Sequence, residues 1–278
     1  VYMVAAESLF RGRDAGNNRY REVPAEDREW LLGQLNRVAN EYRLPVLAID
    51  YVAPRDRQLA RDTAAHIRKL GFVPWVSTPG LDSMGIGAVE VMPRRVLMLY
   101  DGTGSAADLA YESIHRYVQM PLNHMGYVSE FVDVLHEDLP DTTLAGTHAG
   151  VVAWFDDQLT GPRRAAFESW LTRQVRDGVK VVFLNNLGLP QNAAVWKELG
   201  LVSSSSPMPA SVTVTEKDRI TGFEVDIPPD RRSFFPLRVT DGRALYRLRS
   251  DTGQTMDAVA YTPWGGYALG PYAIAFLP

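Results

Sequence analysis

Three short apolar runs, residues 1–6, 45–49 and 72–76, alternate with two amphipathic stretches in the first 92 positions. The run Val1-Tyr2-Met3-Val4-Ala5-Ala6 ends at Glu7, and Pro45-Val46-Leu47-Ala48-Ile49 ends at Asp50. Phe72-Val73-Pro74-Trp75-Val76 is followed by Pro79-Gly80. Between them, residues 26–42 carry Trp30, Leu31, Leu35, Val38 and Tyr42 at helical spacing behind Pro24. Residues 55–70 set Leu59, Ala60, Ala64, Ile67 and Leu70 on one stripe that Gly71 stops. Strand, helix, strand, helix, strand with short links implies parallel strands and right-handed crossovers. Three strands are too few to close a barrel, so a (β/α)8 barrel would be represented here only by its last part. The chain opens inside a strand, with neither a start methionine nor a signal peptide, and reads as a fragment of a longer protein.

From residue 93 the pattern restarts. Residues 95–100 form a strand, Asp101-Gly102-Thr103-Gly104-Ser105 turns into a helix over 106–119, and strands follow at 127–132 and 149–155. Gly161-Pro162 opens a helix with Phe167, Trp170, Leu171 and Val175 on one face, ahead of a buried strand at 179–184. This grammar fits a doubly wound sheet. The run Ser203–Ser206 with Pro207 and Pro209 marks a loop. Beyond it, short strands are expected at 212–215, 223–227, 237–240, 244–249, 258–262 and 273–277, with turns at Asp241-Gly242, Thr252-Gly253 and Gly265-Gly266. The expected fold class is α/β: the C-terminal part of a (β/α)8 barrel over 1–92, a flavodoxin- or amidotransferase-like domain over 93–202, and a β-rich lobe over 203–278.

Composition narrows the function classes. There are 29 Lys+Arg against 33 Asp+Glu, with no basic patch, which argues against nucleic acid as the main partner. Zero cysteines exclude disulfide scaffolds, zinc ribbons and thiol catalysis. No apolar run approaches the roughly 18 residues that span a bilayer, so the chain is expected not to cross a membrane.

Glu7 and Asp50 each close a parallel strand, at the end where α/β sites are built. Two carboxylates converging from separate strands suit glycoside hydrolysis, in which one protonates a leaving oxygen and the other attacks or activates water. Tyr51 and Trp75 are aromatic companions able to meet the apolar face of a sugar, although Trp75 equally fits as barrel filling. Capping the next helix, or pairing with Arg11, Arg13 or Arg55, is the competing role for the carboxylates. Asp82 and Glu90 follow the last strand and could reach the same mouth, or stay as solvated loop charges. The polar stretch from Arg11 to Tyr20 reads evenly as a substrate loop or an ordinary surface loop. Asp101–Ser105 lacks the third glycine of a dinucleotide fingerprint and the Gly-Lys of a phosphate loop, and a tight turn with Ser105 as N-cap explains it. The five histidines lack metal spacing, and Ser129 with His148 and Asp156 or Asp157 makes a triad by composition only. Neither a metal nor a cofactor is expected, and the second half reads as catalytically silent.

Three segments carry a resemblance: Val4-Ala5-Ala6-Glu7-Ser8-Leu9-Phe10, Val46-Leu47-Ala48-Ile49-Asp50-Tyr51 and Gly71-Phe72-Val73-Pro74-Trp75-Val76. With the continuation Glu90-Val91-Met92-Pro93-Arg94-Arg95-Val96-Leu97, the sequence resembles the PelA-like family of exopolysaccharide hydrolases and deacetylases along essentially its whole length. The resemblance implies a barrel that hydrolyses an N-acetylgalactosamine-rich polymer, a central α/β region, and a deacetylase whose metal-binding Asp/His signature is not found in these residues. It implies that Glu7 is the catalytic glutamate and that its partner aspartate lies on an earlier strand. Asp50 is then a supporting or substrate-binding carboxylate, with Tyr51, Arg11, Trp75 and Asp82 as further substrate-binding candidates. It also implies a periplasmic location and a PelB-type tetratricopeptide partner at the outer membrane.

Overall fold

A computed structural model describes residues 1–14, 16–17, 19–203, 212–217, 237–250, 252–262 and 266–269 of the chain. The molecule is mixed α/β with parallel sheets and divides into two compact units, Val1–Pro93 with Thr142–Thr147, and Arg94–Asp141 with His148–Pro278.

The N-terminal unit contains β1 (Val4–Glu7), β2 (Arg11–Asp14), β3 (Arg19–Glu22), α1 (Ala25–Asn40), β4 (Val46–Tyr51), α2 (Arg57–Lys69) and β5 (Val73–Ser77). Strands β1, β4 and β5 form a parallel sheet in that order. Side chains alternate across it. Ala6, Val46, Ala48 and Val76 face the helices and pack with Leu35, Ala60, Ala64 and Ile67. Glu7, Ile49 and Trp75 are register partners on the other face, so they form one row across the sheet. The stretch from Arg11, which might have been a plain loop, is an antiparallel β2–β3 hairpin. Every residue of β3 is exposed, so no apolar alternation announces the strand.

The second unit contains β6 (Arg95–Tyr100), α3 (Met120–His124), β7 (Val128–Asp133), β8 (His148–Phe155), α4 (Gly161–Arg176), β9 (Val181–Asn185), α5 (Val195–Glu198), β10 (Leu201–Ser203), β11 (Val212–Lys217), β12 (Leu237–Val239), β13 (Arg243–Ser250), β14 (Thr255–Tyr261) and β15 (Tyr267–Leu269). Its parallel core runs β7-β6-β8-β9. Helical segments cover both faces. Val96, Met98, Tyr100, Val152 and Trp154 pack with Ile114 and the 109–122 segment. On the opposite face, Phe155 meets Phe167 of α4 edge-on, with centroids 5.2 Å apart.

Two expectations about the 101–119 segment need correction here. The single helix expected over 106–119 is broken into a 3-10 turn at Asp108–Tyr111, a π turn at His115–Gln119, and α3. Pro121 has no N–H to give the Tyr117 carbonyl, and the wider turn sits just ahead of it. Ser105 is not the N-cap: Ala107 holds that position without a side-chain cap. The strands after residue 203 continue the sheet of the second unit, with β15 parallel to β9 and β14 antiparallel to β15. Strands β11 to β14 lie where β-pattern predicted them, whereas β15 was not foreseen. The expected strands at 223–227 and 273–277 lie outside the described residues.

Candidate active site

At the carboxyl end of β1, Glu7 is exposed. Its Oε2 accepts the Tyr51 hydroxyl at 2.7 Å, and it has no ion pair among the described residues. Burial, then the bond to Glu7, pushes the Tyr51 phenol up to about 12, so the hydroxyl remains a donor at neutral pH and well above it. Directly after Glu7 the backbone turns sharply. Ser8 takes a left-handed φ of 60°, and its N–H still reaches the Ile49 carbonyl at 2.8 Å.

That turn aims three consecutive amides at one carboxylate. Asp50 is 0% exposed and accepts the N–H groups of Leu9, Phe10 and Arg11 at 2.7, 2.8 and 2.8 Å. Burial pushes its carboxyl above the usual range, against the opposing pull of the three amides and Arg11. A side chain sealed under the β1–β2 connection fixes where Glu7 stands and has no surface left for substrate.

The other candidates fall in different places. Arg11 opens the hairpin, and its guanidinium lies 3.4 Å from Glu22 across it. Trp75 is half-buried, seated on a strip that only glycine permits, since a Cβ on Gly85 would stand 2.6 Å from the indole. Its row position beside Ile49 puts its Cα roughly 10 Å from that of Glu7. Asp82 is exposed and accepts the Thr78 hydroxyl. Among the described residues it has no hydrogen bond or ion pair to Glu7, Tyr51 or Trp75. Glu90, weighed as a mouth carboxylate, is clamped by Arg57 and Arg61 at 2.7 Å each, and the Arg61 bond above all lowers its pKa. Sequence reading missed the Ser8 turn and the glycine seat of Trp75. The Gly85-Ile86-Gly87 spacing was the available sign of the seat.

Part of the chain resembles the glycoside hydrolase domain of PelA. That domain, from Pseudomonas aeruginosa, is 47% identical over 32% of this chain and 35% of its own length, with a TM-score of 0.30. A glutamate-to-alanine variant of the same domain matches at 46% identity over the same shares, with a TM-score of 0.31. The chain thus spans about a third of the PelA domain it matches. A β-galactosidase from Rahnella sp. R3 aligns over 64% of this chain and 28% of its own at 17% identity and a TM-score of 0.38, too remote to bear on activity. No protein-family model and no curated protein matches the sequence.

Strand ends in the second unit are also acidic, but their oxygens are occupied. Asp101 accepts the amides of Asp156 and Asp157 at 3.0–3.1 Å. Asp133 accepts those of Gly102, Gly104 and Leu135 and bonds His136 Nδ1 at 2.8 Å. The Gly102 and Gly104 amides, which a phosphate in the 101–105 turn would need, are therefore held by the protein's own carboxylate. The Ser129, His148, Asp156 set does not assemble. His148 begins β8 and contacts Glu130 at 3.1 Å, while Asp156 follows the far end of that strand, roughly 25 Å away. Among the described residues, no three His, Cys, Asp or Glu side chains are placed to hold a metal, and no helix is long and apolar enough to cross a membrane.

Proposed function

We propose that residues 1–92 are the C-terminal part of a (β/α)8 glycoside hydrolase barrel in which Glu7 is the acid/base or the nucleophile. The observation that carries this is the state of Glu7: an exposed carboxylate at a parallel strand's carboxyl end, gripped on one oxygen by Tyr51 and unpaired with any cation among the described residues. A glutamate kept this way is presented to a ligand, whereas Asp50 and Glu90 are consumed by their neighbours. The aligned share of 32% approaches the size of the N-terminal unit, and the matched domain is a glycoside hydrolase domain.

Within this reading, Glu7 protonates or attacks at the glycosidic centre, and Tyr51 fixes its rotamer and lends a hydrogen bond to the ionised form. Asp50 holds the Leu9–Arg11 backbone so that Glu7 and the hairpin keep their register. Trp75 offers an aromatic wall two strands away, across β4. The substrate class follows the resemblance: an N-acetylgalactosamine-rich, Pel-type polymer, handled in the periplasm beside a PelB-type tetratricopeptide partner. Residues 93–202 and 203–278 serve as a doubly wound spacer and a β-rich extension without chemistry of their own, and the deacetylase of the parent lies outside these residues.

The test is reducing-end release from a galactosamine-rich polymer by the complete parent protein and its Glu7→Gln variant. Loss of release in a folded variant is expected. Full release would move attention to a carbohydrate- or partner-binding role without catalysis.

A further inference from the structure

A second feature of the N-terminal unit is left unused by that chemistry. Between the β2–β3 hairpin and α1 lies a groove of about 300 Å³, whose lining includes Gly12, Arg21, Asp27 and Trp30. Its α1 wall puts it on the helix side of the β1–β4–β5 sheet, whereas Glu7 belongs to the row on the other face. The indole of Trp30 is the large apolar surface of the groove and is 67% exposed. One turn further along α1 stands Gly33, at an interior position where glycine weakens a helix. No heavy atom lies within 4 Å of the place its Cβ would take, and its φ is not left-handed, so nothing in the fold calls for glycine there. Helical side chains lean towards the N-terminus, so a larger residue at 33 would lie over the turn that carries Trp30. Glycine keeps that side of the indole clear. Asp27 stands one turn before Trp30, in the direction the indole itself leans. On the hairpin, Arg21 shares a face with its register partner Gly12, while Arg13, paired with Tyr20, leaves the opposite face, so the two do not act as one clamp. Arg21 is drawn to Asp14, and with Asp27 set against the hairpin arginines neither sign of charge dominates.

We infer that this groove holds an uncharged sugar ring of the polymer, apart from the point of cleavage at Glu7. Trp30 offers its open side to the C–H face of a pyranose. Asp27 accepts protons from the ring's hydroxyls, and Arg21 donates to a hydroxyl or acetamido oxygen. An acidic sugar would meet like charge at Asp27, and a basic one at Arg21, so the balance of charge selects against both. That the ligand is a saccharide rests on the hydrolase reading of the same unit, its neutrality on that balance, and the stacking on Gly33 beside Trp30.

The experiment titrates the complete chain carrying Glu7→Gln, so that no cleavage intervenes, with the N-acetylgalactosamine trimer. The indole N–H resonances of the six tryptophans are followed by NMR, and Trp30→Phe and Trp75→Phe identify two of them by their loss. The Trp30 resonance is expected to shift and saturate, with little change between low and high salt. Tri-galacturonate and the galactosamine trimer should each shift it less. Gly33→Leu should weaken binding at Trp30 by roughly tenfold while raising the melting temperature, because leucine favours the helix and covers the indole. The Trp75 resonance reports the Glu7 side of the sheet independently. A shift at Trp30 alone supports the groove whatever becomes of the hydrolase reading, and a shift at Trp75 alone overturns the groove while leaving that reading in place. No shift at all, stronger binding of either charged trimer, or undiminished binding by folded Gly33→Leu would each overturn the inference. A Trp30 resonance that moves with protein concentration before any sugar is added would overturn it as well, since a second copy would then cover the indole.

Discussion

In the N-terminal unit, β1 and β4 close on Glu7 and Asp50; in the second, β6, β7 and β8 close on Asp101, Asp133 and Asp156. Both sets lie where parallel sheets build sites, yet their oxygens are spent differently. Asp50, Asp101 and Asp133 each gather two or three backbone amides from neighbouring loops and act as knots. At a strand end, the first unit adds to its knot a second carboxylate, Glu7, whose one described hydrogen bond comes from the Tyr51 hydroxyl. A strand-end acid is thus informative through what its oxygens already hold, since one that ties down amides has little left to offer a substrate.

The largest expected effect is on the knots. Asp50→Ala would leave three amides without their acceptor and should cost about 3–5 kcal/mol in denaturant unfolding. Asp133→Ala, with as many amides at stake, should lose a similar amount. The two variants should part on activity, with the Asp50 change also abolishing hydrolysis by releasing the Glu7 segment. Equal loss of hydrolysis in folded protein from both would erase the distinction between the units.

Glu7→Gln comes next, with the emphasis reversed. The exposed position should leave stability within about 0.5 kcal/mol of the unaltered chain. Removing the proton-transfer group should lower turnover by roughly 10²–10⁴-fold. A loss of stability matching that of Asp50→Ala would make Glu7 a knot as well.

Legibility followed the same physics. The β4 and β5 runs and the Ala60, Ala64, Ile67 part of the α2 stripe were readable because one face is buried, whereas Val1 and Tyr2 of the first run and Trp30 and Tyr42 of the α1 stripe are exposed, with Leu35 the buried residue of that stripe. The β2–β3 hairpin was not, because its residues are polar on both sides and its position depends on amides reaching Asp50. The amide partners of Asp50 were likewise hidden: they come from Leu9–Arg11, some forty positions away in sequence. Of the site, the Ile49-Asp50-Tyr51 strand end and Glu7 could be seen in the sequence, but the Tyr51–Glu7 bond and the Ser8 turn required three dimensions. In the second unit, β15 has only three residues and joins β9 in parallel, so nothing local signals it.

Smaller effects concern protonation. Tyr51 titrates higher in the folded chain, at about 12 against an ordinary 10.0, so its contribution is intact below pH 10 and is lost as pH rises from there towards 12. Tyr51→Phe should therefore flatten the alkaline fall in the urea midpoint, while lowering turnover by about tenfold through the lost bond to Glu7. Smallest of all is Glu112→Gln. Burial, then Asp156, Asp101, Asp133 and Asp108, raises the pKa of Glu112, so its ionised form opposes folding once pH passes the ordinary carboxylate range. The variant should raise the melting temperature slightly at neutral pH and leave it unchanged in acid, with hydrolysis unaffected.

Chemical rescue addresses the reactive carboxylate most directly. Polymer cleavage by the complete parent carrying Glu7→Ala would be followed with and without azide by mass spectrometry of the shortened chains, in which rescue appears as glycosyl azide, with folding monitored by circular dichroism. We expect turnover to vanish in the folded variant and to return in part when azide supplies the missing anion. Turnover equal to that of the unaltered protein, without azide, would contradict a catalytic Glu7.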